Sequence, residues 1–240
     1  MFFFCVDIGN TRTKWALYDE DKLMLAEADT FLNTETVLKI FHLYPEATCI
    51  LSSTVLPEDT LLQAFRKFKS FMILGPDTRL PFNNRYATPS TLGLDRMALA
   101  AAAACSYPGE DVLVIDTGTC ITLDFVDKQA NYLGGSIHPG LNMRMKAMHN
   151  FTGKLPLVEV SVPEKLMGDS TASCMQVGGV MGAVLELNAM ITLYQSRYPG
   201  CKVVLTGGDA PLFFSLLKNE IFAFPNFVLT GLLKIAQHNV

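Results

Sequence analysis

One local pattern occurs twice in this chain. Residues 6–14 read VDIGNTRTK and residues 115–122 read IDTGTCIT. Each follows an apolar run, places an aspartate at its end and a glycine two residues later, and surrounds them with hydroxyl or amide side chains. A short apolar run that stops at turn chemistry reads as a buried strand. The same strand end in both halves of the chain predicts two related α/β domains in tandem, not a short-period solenoid.

The intervening sequence supports that division. FFFCVDIG, KWALYD and KLMLAEA form a meander of three strands, with DEDK as a turn. TETVLKIFHLY, residues 34–44, has the apolar spacing of an amphipathic helix with Thr34 as its N-cap. TCILSSTV, EDTLLQAFRKF and SFMILG then alternate strand, helix, strand, which predicts right-handed crossovers and a partly parallel sheet. A proline-bearing loop leads into the alanine-rich helix RMALAAAAACSY, closed by PGED. The pattern restarts at Val112 with strands VLVIDTG and CITLDFVD and a third near YLGGSIHPG. Helices are expected near 140–149, 170–198 and 226–238, and KVVLTGGDA reads as a strand with a double-glycine turn. The expected domains are 1–111 and 112–240. In the 170–198 helix, Gly178, Gly179 and Gly182 lower intrinsic helicity and leave room for another backbone.

Composition narrows the function. Half the residues are hydrophobic and 18% are charged, enough for a sizeable core with apolar surface left for a partner subunit. A net charge of −4 argues against nucleic acid as a partner. No apolar segment reads as reaching the roughly 20 residues of a membrane span, and MFFFCV lacks the flanks of a signal peptide. The six cysteines lack C-x-x-C spacing and an accompanying histidine pair, so they read as thiols in a reducing cytoplasm and not as a zinc site. His42, His138, His149 and His238 are isolated in sequence and read as surface or capping residues. Trp15 reads as core.

The chemistry concentrates in a few turns. Gly9 and Gly118 permit tight turns whose N–H groups make an anion-binding concavity. Asn10, Thr11, Thr117 and Thr119 add side-chain donors, and Lys14 adds a positive charge. Asp7 and Asp116 stand where a hard cation or its water shell could bind. Two such turns facing each other across a cleft would hold one triphosphate from both sides. TGGDA, residues 206–210, suits a flat ring lying against backbone, such as the adenosine end of a nucleotide. It equally suits a plain strand-to-helix turn with Asp209 as N-cap. In GLDR, residues 93–96, Asp95 offers a base for an acceptor hydroxyl and Arg96 a cation for an acceptor carboxylate. Asp95 at a helix start also has a purely structural explanation, in capping and the helix dipole.

In combination and in this order, DIGNTRTK, NNRYATPSTLGLDR, DTGTCIT, GGSIHPGLNMRMKAMHNFTGKLP and TGGDA resemble the type III pantothenate kinases. These belong to the acetate and sugar kinase, Hsp70 and actin superfamily. The resemblance runs nearly end to end. It implies two tandem ribonuclease H-like (actin-like ATPase) domains, with mixed sheets flanked by helices and a cleft between them. It implies ATP-dependent phosphorylation of pantothenate, the first step of coenzyme A synthesis, with Asp95 as the base. Asp7, Ile8, Gly9, Asn10, Thr11, Arg12, Thr13, Lys14 and Thr119 would contact ATP. Tyr86, Gly93, Leu94, Asp95, Arg96 and Thr171 would contact pantothenate. Asp7 would help organise the divalent ion, magnesium, that accompanies ATP, and Asp116 would bind a monovalent cation, potassium or ammonium. A cytoplasmic homodimer is implied, and the helix after Thr171 is the candidate contact. The chain departs from the family pattern at Thr117, Cys120 and Gly153, where alanine is usual. Two rival readings are a sugar or acetate kinase of the same superfamily, which the segment from Asn84 to Arg96 discriminates, and a non-catalytic nucleotide-binding accessory factor.

Overall fold

The computed structural model describes residues 1–9 and 12–240, with residues 29 and 30 described by backbone alone. The chain divides into two compact units. The first comprises 1–109, 126–134 and 226–240, and the second comprises 110–125 and 135–225.

The first unit opens with the expected meander, β1 (Phe2–Ile8), β2 (Thr13–Asp19) and β3 (Lys22–Thr30). There follow α1 (Thr34–Leu43), β4 (Thr48–Ser53), α2 (Asp59–Phe65) and β5 (Ser70–Ile73). The sheet order is β3-β2-β1-β4-β5. The meander pairs antiparallel, whereas β1, β4 and β5 run parallel. Phe4, Val6, Trp15, Leu17, Leu51 and Phe65 are among the residues of its core. The N-cap of α1 is Asn33, not Thr34: its side-chain oxygen accepts from Thr36 N at 2.9 Å. The loop before the alanine-rich helix contributes a two-residue strand, β6 (Asn83–Asn84), and then α3 (Leu94–Ser106) begins.

The remaining elements are β7 (Val112–Thr117), β8 (Cys120–Val126), β9 (Asn131–Pro139), α4 (Leu141–Asn150) and α5 (Thr171–Gln176). A π-helical turn, Val177–Met181, joins α5 to α6 (Gly182–Arg197). Then come β10 (Lys202–Thr206), α7 (Ala210–Leu216), β11 (Phe222–Ala223) and α8 (Phe227–His238). The second sheet has the order β11-β10-β7-β8-β9-β6. Apart from the added β6, its wiring repeats the first: a three-strand run, then a crossover to a strand parallel to the first of the three.

Two expectations need correction. The reading of 112–240 as one continuous domain gives α8 to the second half, but α8 lies in the first unit. The reason is close packing on α3, which buries Ala98–Ala103 completely. Gly231 of α8 approaches so closely that a β-carbon there would lie 1.8 Å from the Ala98 carbonyl oxygen. The second correction concerns 171–197. This run of 27 residues, which holds an 18-residue stretch of mean hydropathy 1.4, is long and apolar enough by length and composition to cross a membrane. Its apolar residues Met175, Val180, Ala183, Val184, Leu187 and Ile191 belong to the core of the second unit. Of its three glycines, one, Gly179, acts differently from expectation. Gly179 admits the end of the Met145 side chain, not a backbone, and Gly178 and Gly182 face no atom within 4 Å of an added β-carbon.

Candidate active site

In the first unit, β1 ends at the first acidic turn. Asp7 is opposite Lys14 on β2 and Ser52 on β4. Ser52 Oγ donates to Asp7 Oδ1 at 2.9 Å. Burial pushes the Asp7 carboxyl up to about 6; Ser52 and Lys14 oppose that rise, and the charge of Asp95 adds to it. Asp95, from α3, therefore shares an electrostatic neighbourhood with Asp7. The turn closes through Gly9 N, which donates to the Arg12 carbonyl at 3.0 Å. A β-carbon on Gly9 would lie 3.1 Å from that oxygen, so glycine suits the tight turn. Ile8 is buried, Arg12 is exposed and Thr13 is half-buried. Asn10 and Thr11 lie outside the described residues.

The acceptor-segment residues gather beside the start of α3. Asn83 and Asn84 pair with Asn131 and Tyr132, and Asn84 Oδ1 accepts from Tyr86 N at 3.0 Å. The Tyr86 ring faces Gly134, whose φ of +96° and short approach to the ring both suit glycine. The Arg96 guanidinium stands 5.6 Å from the centre of the Tyr86 ring, within cation–π range. Gly93, Leu94 and Asp95 are half-buried and Arg96 is buried. Asp95 Oδ1 accepts from Arg96 N at 2.8 Å, so the carboxylate folds back over Gly93, where a β-carbon would lie 2.5 Å from it. The structural account of Asp95 as a helix-start residue thus has a real bond behind it. Its charge is nonetheless felt at Asp7.

In the second unit, β7 ends at Asp116, Thr117 and Gly118, and Gly118 N donates to the Cys120 carbonyl at 2.9 Å. Thr119 is exposed at this turn. TGGDA packs directly against it. Gly207, at φ +101°, leaves no room for a side chain: a β-carbon would lie 2.4 Å from both Asp116 Oδ1 and the Thr117 carbonyl oxygen. Thr117 Oγ1 donates to the Thr206 carbonyl, and Asp209 N donates to the Thr117 carbonyl, each at 2.9 Å. Asp209 occupies the N-cap position of α7 without a side-chain capping bond. Thr171 is exposed as the first residue of α5, after a Ser170–Ser173 capping box.

Sequence reasoning missed several supporting residues. Ser52 was legible only as part of a strand. His138, read as a surface or capping residue, is bonded to Ser136 and Glu186.

The family model for type III pantothenate kinase matches residues 3–193, which take in both acidic turns, the acceptor segment and Thr171. The chain belongs to the type III pantothenate kinase family. The type III pantothenate kinase of Christiangramia forsetii is 43% identical over 238 residues, covering 98% of this chain and 97% of that one. That of Flavobacterium johnsoniae is 40% identical over 241 residues with the same coverage. Among solved structures, a Campylobacter jejuni protein described as a Baf family transcriptional activator superposes with a TM-score of 0.61 at 22% identity, over 99% of this chain and 98% of that one. A glucokinase from an Antarctic psychrotroph gives 0.53 at 12% identity, over 100% and 99%. These two likenesses establish the fold alone, that of the actin-like ATPases and sugar kinases, with two mixed sheets flanked by helices. Set beside the type III pantothenate kinase pattern, the departure at Thr117 supplies the buried bond to Thr206. Gly153 faces open space, so alanine would add no contact there.

Proposed function

We propose that the chain phosphorylates the hydroxyl of pantothenate with ATP to give 4'-phosphopantothenate, the first step of coenzyme A synthesis. Family membership supports the activity, and the electrostatic neighbourhood shared by Asp7 and Asp95 carries the assignment to residues. In this reading Asp95 takes the hydroxyl proton as the pantothenate oxygen bonds the γ-phosphorus and the bond to ADP breaks. Phosphoryl transfer relies mainly on positioning and charge stabilisation, so a modest base suffices. Tyr86, Gly93, Leu94, Arg96 and Thr171 hold pantothenate, with Arg96 as the cation for its carboxylate. Asp7 to Lys14 and Thr119 hold ATP.

The kinase family implies a divalent ion with ATP. Magnesium keeps most of its water and takes one or two carboxylates beside substrate phosphates, and the single, Ser52-bonded carboxylate of Asp7 fits that role. The ion would neutralise phosphate charge when bound. We assign Asp116, held against Gly207, to a monovalent cation, potassium or ammonium. We also propose a homodimer, with exposed Leu185 and Leu193 on α6 as part of its contact, and a cytoplasmic location in keeping with six free thiols.

The test is ADP release with and without pantothenate and with and without potassium or ammonium, beside Asp95→Asn. Turnover that needs both additions and collapses in the variant is expected. Full activity in Asp95→Asn would reduce Asp95 to a helix-start residue. Turnover with another acceptor only would overturn the substrate.

A further inference from the structure

Outside the residues assigned so far, the second unit carries one polar network that joins three elements. Glu186 on α6 accepts from Arg144 Nη2 on α4 at 2.6 Å through one carboxylate oxygen, and contacts His138 Nδ1 on β9 through the other. Ser136 Oγ and His138 Nε2 are 2.6 Å apart. Arg144 Nε also donates to the Pro139 carbonyl at 2.9 Å. Side-chain exposure is 15% for His138, 18% for Arg144 and 33% for Glu186, so the network is largely shielded from water. Burial raises the Glu186 carboxyl, but Arg144 and His138 outweigh it and hold the group below its ordinary range. An ionised carboxylate only accepts, so Nδ1 of His138 carries the proton, and in the neutral ring Nε2 accepts from Ser136.

The position of this network matters more than its charge. Pro139, whose carbonyl Arg144 holds, is followed by Gly140, the N-cap of α4. Gly140 N donates to the Thr119 carbonyl at 3.2 Å. A β-carbon on Gly140 would lie 2.4 Å from the carbonyl oxygens of both Gly118 and Thr119. The β9–α4 junction is thus pressed backbone to backbone against the second phosphate turn. Beyond Glu186, α6 is anchored in the core by Ala183, Val184 and Leu187. The contacts therefore run unbroken from core helix to Glu186, to Arg144 and His138, to Pro139 and Gly140, and to the Thr119 turn. Coupling travels through contiguous chains of this kind.

We propose that Glu186, with Arg144 and His138, is a positioning residue that fixes the Thr119 turn for ATP; the inference rests on the assignment of Thr119 to ATP. A looser turn loses binding made equally in ground and transition states, which raises KM and leaves kcat alone.

Glu186→Gln, Arg144→Lys and His138→Asn are compared by steady-state kinetics normalised to folded enzyme, with Thr119→Val as the control. The expected result is a rise of about tenfold in KM for ATP in the Glu186 and Arg144 variants, with kcat and KM for pantothenate nearly unchanged. A merely structural network would lower the yield of folded enzyme while kcat per folded enzyme and KM for ATP stayed put, and that result overturns the proposal. If Glu186→Gln does not accumulate as folded protein, Arg144→Lys, which keeps the charge but cannot hold Glu186 and the Pro139 carbonyl at once, decides. Unchanged KM for ATP in Thr119→Val would remove the assignment of Thr119 itself. A raised KM there beside an unchanged one in folded Glu186 and Arg144 variants overturns the positioning role alone.

Discussion

Asp7 sits where function wants a charge and folding does not. Its carboxyl is raised from an ordinary 3.8 to about 6, chiefly by burial. At about 1.4 kcal/mol per pH unit, keeping Asp7 ionised costs the ligand-free fold about 3 kcal/mol. Between the two values the native state holds a proton that the unfolded chain has lost, so stability falls as pH rises from about 4 to about 6. Above that window the cost is fully present, and below it the cost is absent. Asp7→Asn removes the charge and still accepts a hydrogen bond from Ser52. It should therefore stabilise the ligand-free protein by up to about 3 kcal/mol at pH 8, and by almost nothing near pH 4. Turnover should be lost at both. Urea unfolding of both proteins across that range measures the difference. A gap that stays constant with pH, or an Asp7→Asn protein less stable at pH 8, would refute the reasoning. Asp95→Asn supplies a cross-check, because Asp95 adds to the rise: in that variant the stability transition of Asp7 should move to lower pH.

Two other perturbations test the packing around the site. Gly231→Ala forces α8 away from the Ala98 carbonyl and should destabilise the protein by about 1–3 kcal/mol, read as a lower Tm. Thr117→Val removes the donor to the Thr206 carbonyl but keeps the volume, and should cost about 1–3 kcal/mol in unfolding experiments, with a raised KM for ATP.

Much of this was readable from the chain because the signals are local. An apolar run ending in Asp-x-Gly fixes a strand and its turn, and the order of strands and helices in residues 2–73 matches expectation. The place of Asp95 and Arg96 at a helix start was legible for a similar reason, since a loop meets a helix there. What was hidden depends on partners far apart in sequence. Periodicity marks α8 as a helix but carries nothing about its neighbour; Gly231 and Ala98 reveal their contact only when brought together. Ser52 looks like any strand-end serine until the parallel register sets it beside Asp7. The π turn at Val177–Met181 has no periodic signature of its own in so short a span. His138 appeared isolated because Glu186, its partner on α6, is distant in sequence, not because it lacks one.

The shared wiring of the two sheets sharpens the question of why one acidic turn occurs twice. In each unit the strand ending in aspartate has a parallel neighbour, β4 for Asp7 and β10 for Asp116. Asp7 is in register with Ser52 and Asp116 with Thr206. The carbonyl after each aspartate is capped from that neighbour: Thr54 N donates to Ile8 at 3.0 Å, and Asp209 N to Thr117 at 2.9 Å. The backbone solution is therefore the same, and the side chains make the difference. In the first unit the neighbour's hydroxyl, on Ser52, reaches the aspartate itself and leaves Ile8 apolar. In the second the register position of Ser52 is taken by Thr206, and a further hydroxyl on the aspartate's own strand, that of Thr117, holds the neighbour's backbone. The Asp116 carboxylate lies against the Gly207 backbone, while that of Asp7 accepts from the Ser52 side chain. A duplicated turn with one scaffold and two carboxylate environments suits two different ions, which is the division of labour assigned to Asp7 and Asp116 above.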